Sequence, residues 1–191
     1  MTAMFAYECL VNLRVDESAG RPIDVLPFWG HKPPRDGSIG PACLSQWYHA
    51  PFTVEGTTYP TAEHWMMAEK ARLFGDREGL AAVLAAPDPA RAKTAGRKVQ
   101  GFDEWAWRDA RYDAVVAGNL AKFGQHADLR AFLVATGQKV LVEASPHDLI
   151  WGIGLAADHP DVHRPTAWRG LNLLGFALMD VRGRLEAGGR L

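Results

Sequence analysis

Cysteine is scarce in this sequence, where Cys9 and Cys43 are the only two. Two cysteines cannot form a disulfide-rich scaffold or a cysteine-rich zinc site, and such a composition is typical of proteins in a reducing cytosol. The paired His-x-Glu and Pro-Cys-x-x-Cys motifs of zinc-dependent base deaminases are also missing. The segment 158–163 contains Asp and His, but Pro160 and the irregular spacing favour a solvated loop. We therefore expect a cytoplasmic protein that uses no metal and no cofactor.

An excess of positive charge is missing as well. The 21 basic and 22 acidic residues give a net charge of −1 at pH 7, so no overall field steers the molecule to nucleic acid, although a local basic rim still allows a contact with DNA. No apolar run reaches the ~18 residues of a membrane span. Charged residues interrupt the N-terminal segment where a signal peptide would be apolar. We expect no membrane partner.

The length of 191 residues and the 48% hydrophobic content are those of a globular domain. N-cap residues and glycine or proline stops indicate many helices. The predicted helices are 61–74, 76–86, 88–97, 103–123, 127–136 and 171–184. The predicted strands are 23–29, 44–48, 51–54, 57–59 and 139–144, with a possible strand at 5–15. We predict a helix-rich α+β fold in one domain, 1–191, in which 1–20 is an N-terminal extension or an edge strand.

Two segments are predicted to be loops, 31–41 and 145–168. The second is longer than most loops of compact domains, which are usually functional or disordered at such lengths. It contains two of the seven tryptophans of the chain and three histidines, which favours a function. A tryptophan usually packs in the core, but its flat face also stacks on a nucleobase or a sugar.

Glu63 and Lys70 share one face of the predicted helix 61–74. They are seven residues apart, which is two helical turns within about 20°. Long side chains at these positions can converge on a ligand that lies across this face. Taken alone, such a pair is usually a solvated face or belongs to unrelated salt bridges, so the spacing does not establish a site.

Two further features surround the long loop. Asp148 and Trp151 are three residues apart beside Gly152, and a glycine lets a backbone approach a ligand closely. The simpler interpretation is an Asx-type turn with a core tryptophan. At the end of the loop, Arg169 precedes the last predicted helix, whose N-terminus favours phosphate.

Eight short segments occur in a characteristic order along residues 24–185. They are Phe28-Trp29, Leu44-Ser45-Gln46-Trp47-Tyr48, Tyr59-Pro60-Thr61-Ala62-Glu63-His64 with Lys70 and Asp76, Trp107-Arg108-Asp109-Ala110-Arg111-Tyr112, Lys122-Phe123, Leu141-Val142-Glu143-Ala144-Ser145, Asp148-Leu149-Ile150-Trp151-Gly152-Ile153-Gly154, and Trp168-Arg169-Gly170-Leu171-Asn172-Leu173-Leu174-Gly175. Each segment alone is a weak signal. Together and in this order, they resemble the NADAR family, which includes N-glycosidases of riboflavin intermediates.

The resemblance implies a hydrolase that cleaves the N-glycosidic bond between ribose and a base-like group. The substrates it implies are phosphorylated ribosylamino-pyrimidine intermediates of riboflavin synthesis, or ADP-ribose on guanine in DNA. The partner is thus a small nucleotide-like molecule or an ADP-ribosylated nucleobase, with a possible DNA contact. The predicted catalytic residues are Glu63, Lys70 and Asp148. The predicted substrate-binding residues are Phe28, Trp29, Ser45, Trp47, His64, Trp107, Trp151, Gly152, Arg169 and Asn172.

Two chemical routes fit these residues. In one, Glu63 or Asp148 stabilises positive charge at C1′ or activates water. In the other, an unprotonated Lys70 attacks C1′ and forms an imine that water hydrolyses. The second route needs a lowered lysine pKa, which burial among Met and Trp side chains favours. Candidate phosphate partners are Arg97, Arg169, Lys32 and Arg35.

Two other functions remain open at this point. A non-catalytic module that binds ADP-ribose or NAD would need the aromatic pocket but neither Glu63 nor Lys70. A purely structural domain would use the shared face of helix 61–74 for packing.

Overall fold

The computed structural model describes residues 3–188, with side chains from Phe5 onward. Within this range the helices are α1 (Ala3–Ser18), α2 (Ala62–Leu73), α3 (Arg77–Leu84), α4 (Pro89–Gly96), α5 (Glu104–Gln125), α6 (Ala127–Ala135) and α7 (Leu173–Glu186). The strands are β1 (Val25–Phe28), β2 (Phe52–Val54), β3 (Thr57–Tyr59) and β4 (Val140–Glu143). Two 3₁₀ helices span Pro41–Leu44 and Pro165–Ala167. None of the described helices is long and apolar enough to span a bilayer.

The four strands form two small sheets. β1 and β4 are parallel, and their register runs from Val25 beside Val140 to Phe28 beside Glu143. β2 and β3 form an antiparallel hairpin. The fold is therefore helix-rich with a few short strands, which confirms the predicted α+β class.

Helix α2 lies at the centre of the described structure. Its first seven residues, 62–68, are all buried, because α3, α4 and α5 all pack against it. A helix buried all round belongs to the interior rather than to an amphipathic surface. Helix α7 packs on both α5 and β4, and so links the helical layer to the end of the parallel strand pair.

Side-chain caps begin four of the helices, at the residues where the sequence predicts these helices to start. Each capping side chain accepts a hydrogen bond from a backbone N–H three residues later, which satisfies a donor that has no partner within the helix. The caps are Thr61, Asp76, Asp88 and Asp103. The starts of α2, α3, α4 and α5 were thus encoded locally.

The possible strand at 5–15 was wrong, since these residues belong to α1. Ala6 and Leu10 are buried one helical turn apart, whereas Tyr7, Val11 and Val15 are about half exposed. These exposed apolar side chains obscure the helical pattern in the sequence. The N-terminal segment is therefore a helix packed on α5 and α7 and not an edge strand.

The predicted strand at 44–48 was also wrong. The chain forms the 3₁₀ helix Pro41–Leu44 and then turns. Its backbone groups bond locally, for instance from the Ser45 N–H to the Ala42 carbonyl at 3.1 Å. Helix α5 also continues through Gly124 to Gln125, because one exposed glycine does not end a helix that packing holds.

Gly175 on α7 provides a test of this packing. A Cβ at this position would lie 2.0 Å from the Leu141 carbonyl oxygen and 2.5 Å from Asn172 Nδ2. We expect Gly175→Ala to lower the free energy of unfolding by about 1–3 kcal/mol, the usual cost of overpacking. Urea denaturation measures this change.

Gly183 on the same helix is the matched control, because a Cβ there meets nothing within 4 Å. Gly183→Ala should raise the free energy of unfolding by about 0.5–1 kcal/mol, since alanine loses less backbone freedom. Equal effects of the two substitutions would contradict this account of the α7–β4 contact.

Candidate active site

Glu63 lies in the first turn of α2 and is almost completely buried, with 2% of its surface exposed. Its N–H donates to the Gln46 carbonyl at 3.0 Å, but its Oε1 has no hydrogen-bond partner in the described structure. Burial raises the pKa of Glu63 to about 7, and the Asp148 carboxylate also raises it. The Lys93 ammonium and a hydrogen bond from Trp47 act in the opposite direction. The result is a carboxyl that exchanges its proton near neutral pH.

Asp148 approaches Glu63 from the long loop. Its Oδ1 accepts hydrogen bonds from the N–H groups of Ile150 at 2.9 Å and Trp151 at 2.8 Å. The Asx-type turn considered from the sequence is therefore present. The same turn places the Asp148 carboxylate close enough to raise the pKa of Glu63, so the structural and functional interpretations of this residue are compatible.

Glu143 is a third carboxyl at this place, at the end of β4. Its Oε2 is buried without a partner. Burial raises the pKa of Glu143 to about 8, and the carboxylates of Asp148 and Glu63 raise it further while Lys93 lowers it. Three carboxyls from α2, β4 and the long loop thus lie within electrostatic range of one another.

Lys70 lies two turns along α2 from Glu63 and is partly buried. Its Nζ is 4.0 Å from the centre of the Phe102 ring and 5.9 Å from that of Trp107. Burial and the nearby Arg97 lower the pKa of Lys70, and Glu104 raises it. The lowered pKa has the direction that the imine route requires.

Arg97 lies within electrostatic range of both Glu63 and Lys70 on α2. Its positive charge lowers the pKa of each of them. The shared face expected from the sequence is therefore bordered by an exposed cation. Arg97 remains a candidate phosphate partner.

Helix α5 holds the loop 45–47 against α2. Lys122 is completely buried, and its Nζ donates to the carbonyls of Cys43 at 2.7 Å and Ser45 at 3.1 Å. Asn119, one turn earlier, donates from Nδ2 to Gln46 Oε1 at 2.8 Å. These bonds fix residues 43–46, which directly precede Trp47. Trp47 is the tryptophan that donates a hydrogen bond to Glu63.

Asn172 positions the end of β4. Its Oδ1 accepts from the Glu143 N–H at 3.0 Å, and its Nδ2 donates to the Leu141 carbonyl at 2.9 Å. The residue has a left-handed backbone with φ of 54°, which asparagine tolerates better than most residues. Its amide contacts the protein on both sides, and its predicted contact with substrate stays a prediction.

His64 also makes contacts within the protein. Its Nδ1 is 2.8 Å from Thr61 Oγ1 and its Nε2 is 3.1 Å from the Ala86 carbonyl. Burial lowers its pKa. The ring thus connects the N-cap of α2 to the segment after α3. His64 therefore has a structural role that does not depend on a substrate.

The other predicted binding residues differ in position. Gly152 is buried, and a Cβ there would lie 2.8 Å from the Glu143 carbonyl, so close packing of the loop on β4 accounts for the glycine. Phe28 is a core residue, while Trp29 is 66% exposed. Ser45, Trp47 and Trp151 are partly buried, Trp107 is buried, and Arg169 is exposed. Of this set, Trp47 and Trp107 have contacts with Glu63 or Lys70.

Sequence reasoning missed four residues that border the site. Arg111 is 7% exposed, and its Nε has no partner in the described structure. Burial lowers its pKa, while the carboxylates of Glu104 and Asp148 act in the opposite direction. Lys93 on α4 acts on both Glu63 and Glu143. The others are Gln46 and Glu143. A charged residue ending the apolar strand Val140–Glu143 was the available signal for Glu143, whereas nothing local distinguishes Lys93.

Unpartnered polar atoms concentrate around this cluster. Most buried polar groups in proteins have a hydrogen-bond partner, so each exception needs an explanation. In the described part of the chain, the side chains with such an atom are Gln46, Glu63, Arg111, Tyr112, Asn119 and Glu143. Several belong to the site just described, which is the pattern of a site whose ligand supplies the missing partners.

A family model for the NADAR domain matches residues 27–186. The chain belongs to the NADAR family. N-glycosidase R617 of Acanthamoeba polyphaga mimivirus is 40% identical over 144 residues, 73% of this chain and 85% of the relative. N-glycosidase YbiA of Escherichia coli is 33% identical over 135 residues, 71% of this chain and 76% of the relative. These names confirm the predicted enzyme class, N-glycosidase.

The fold agrees with this assignment. The NMR structure of E. coli YbiA superposes with a TM-score of 0.69 at 28% identity, covering 87% of this chain and 88% of that one. A protein of Vibrio vulnificus named Riboflavin biosynthesis protein VVA0006 is 35% identical over 143 residues. The match covers 75% of this chain but 35% of that longer relative.

The buried Glu63 should make stability depend on pH. Its folded pKa of about 7 lies above the ordinary value of 4.5, so between these values the unfolded chain releases a proton that the folded chain keeps. Stability is therefore lost as pH rises through this window. We expect Glu63→Gln, which cannot ionise, to gain about 3 kcal/mol relative to wild type between pH 4.5 and 8, at ~1.4 kcal/mol per pKa unit.

Urea denaturation across this pH range measures the difference. Glu78→Gln, on the exposed surface of α3, is the control and should follow the wild type. If the difference in free energy of unfolding between Glu63→Gln and wild type does not change with pH, the Glu63 carboxyl ionises alike in the folded and unfolded states.

Proposed function

We propose that the chain hydrolyses the C1′–N bond of a phosphorylated ribosylamino-pyrimidine of the kind that occurs in riboflavin synthesis. The observation that carries this proposal is the buried carboxyl of Glu63, which has an unpartnered oxygen and a pKa of about 7. A proton donor with a pKa near the working pH is what cleavage to an amine leaving group requires. The name of the Vibrio relative supports the riboflavin branch of the predicted substrates.

Glu63 and Asp148 have different roles in the proposed reaction. The C1′–N bond breaks with its electron pair on nitrogen, and the nitrogen takes the proton of Glu63. The carboxylate of Asp148 stabilises the positive charge that develops at C1′. Water then adds to C1′ and gives its proton to the Glu63 carboxylate, which restores the acid. One water is consumed, and ribose phosphate and the free aminopyrimidine are released.

The positive side chains suit the phosphate end of such a substrate. Lys70 and Arg97 lie along the helix face beyond the buried carboxyl, and opposite charge there favours a phosphate. Trp107 adds an aromatic face beside Lys70 on which a flat base can stack. The substrate therefore lies along α2, with its sugar at Glu63.

A module that only binds ADP-ribose or NAD has less support. Binding alone gives no reason to bury a carboxyl with a raised pKa, because this costs stability. Shifted pKa values of this kind concentrate at catalytic sites. The relatives named as N-glycosidases agree with catalysis.

Activity of Glu63 variants tests the proposal. With a phosphorylated ribosylamino-pyrimidine, Glu63→Gln should lower kcat by about 100- to 10,000-fold, the usual contribution of general acid–base catalysis. Wild-type kcat/KM should fall as pH rises above about 7, where Glu63 loses its proton. Release of the free base, followed by chromatography, measures both.

Glu69→Gln on the same helix is the control, since Glu69 pairs with Arg72 on the partly exposed side of α2. ADP-ribosylated guanosine is assayed in parallel, because it is the other predicted substrate class. If wild type and Glu63→Gln both release base from both compounds only at the uncatalysed rate, the hydrolase proposal fails. Tight binding without turnover would favour the binding module instead.

Borohydride trapping separates the two chemical routes. If Lys70 attacks C1′, reduction during turnover should attach the sugar covalently to Lys70, and peptide mass spectrometry should locate it. Under the Glu63 route, an active enzyme should give no adduct and Lys70→Arg should keep most of its kcat. Lys98→Arg, on the exposed segment after α4, is the control substitution.

A further inference from the structure

Glu143 has a buried carboxyl oxygen with no partner in the described structure. Such an atom normally costs stability unless a water or ligand satisfies it. The side chain does not serve the packing of β4, where the preceding residues 140–142 are apolar and buried. Its position therefore needs an explanation outside the fold.

The backbone of Glu143 is held from two sides. Its N–H donates to Asn172 Oδ1 at 3.0 Å, and its carbonyl accepts from the Ile153 N–H at 3.0 Å. Strand β4 also pairs with β1, and in this pairing Glu143 lies beside Phe28. These contacts fix the backbone at Glu143, so the position of its buried Oε2 is set by the fold. The carboxyl remains directed into the cluster with Glu63 and Asp148.

The charges around Glu143 define the kind of ligand that fits. Asp148 and Glu63 both oppose its ionisation, and Lys93 is the cation that acts on it. A phosphate or carboxylate ligand would be repelled by this group of acids. A neutral group with O–H donors fits better, because a carboxyl accepts from a hydroxyl and, when protonated, also donates to it.

We propose that Glu143 binds the ribose 2′-hydroxyl and makes the enzyme select ribosyl over 2-deoxyribosyl compounds. This inference rests on the proposed function, which places C1′ beside Glu63. The hydroxyl nearest C1′ is that on C2′, and Glu63 is close enough to Glu143 to raise its pKa. Hydrogen bonds to this hydroxyl strengthen as glycosidic bonds break, so the contact would assist the reaction as well as binding.

The orientation of the substrate follows from the same charges. The acidic end, formed by Glu63, Glu143 and Asp148, takes the neutral sugar ring. Lys70 lies two turns along α2 from Glu63 and, with the nearby Arg97, takes the phosphate. The site thus separates the two chemical parts of one sugar phosphate.

Binding of ribose 5-phosphate and 2-deoxyribose 5-phosphate tests the inference without turnover. By calorimetry, wild type should bind the ribose compound about 10-fold or more tightly, because the deoxy compound leaves the buried carboxyl of Glu143 without a hydrogen-bond partner. In Glu143→Met, which keeps the volume but removes the carboxyl, the ratio should fall below about 3-fold. Glu78→Met, the same change on the surface of α3, should keep the wild-type ratio.

Arabinose 5-phosphate, the C2 epimer, provides a second measurement on wild type alone. It should bind about as weakly as the deoxy compound, and this result does not depend on whether Glu143→Met folds. Equal binding of all three sugars to wild type, or a ratio in Glu143→Met equal to that of wild type, overturns the inference. If wild type turns over no N-riboside but still prefers ribose 5-phosphate, the proposed function is refuted. The sugar-binding role of Glu143 would then still stand.

Discussion

The burial of one carboxyl, that of Glu63, is the constraint on which the site depends. Helix α2 is packed against α3, α4 and α5, so the carboxyl of Glu63 in its first turn is almost completely withdrawn from bulk solvent. Removing it from water holds a proton on it near neutral pH. The same burial opposes folding, and the core around α2 offsets this cost. Functional sites typically contain groups that are unfavourable for folding, such as a buried ionisable side chain.

The polar network around α2 exists to keep this arrangement in place. Lys122 and Asn119 on α5 hold the loop before α2 through its carbonyls and through Gln46. Asn172 holds the end of β4 in a similar way. Each of these side chains is buried and holds a neighbouring segment through hydrogen bonds. They fix the position of the candidate site.

Much of the helical fold was predictable because its signals are local. The caps at Thr61, Asp76, Asp88 and Asp103 each need only a few neighbouring residues, and all four helices start where expected. The segment 5–15 was not predictable in this way. Its apolar residues face both the core and solvent, and only packing on α5 and α7 decides that it is a helix. The strand expected at 44–48 failed similarly, since the Ser45 carbonyl accepts from Lys122 on α5 instead of from a sheet partner.

By itself, the sequence determined the helix-rich class, the family resemblance, and Glu63, Lys70 and Asp148 as residues of interest. These depend on short patterns and on their order along the chain. The tertiary structure alone decided that Glu143 and Lys93 join them, because these residues come from β4 and α4. It also decided that His64 and Asn172 bond within the protein. Burial and electrostatic contact arise between distant segments, and no local pattern encodes them.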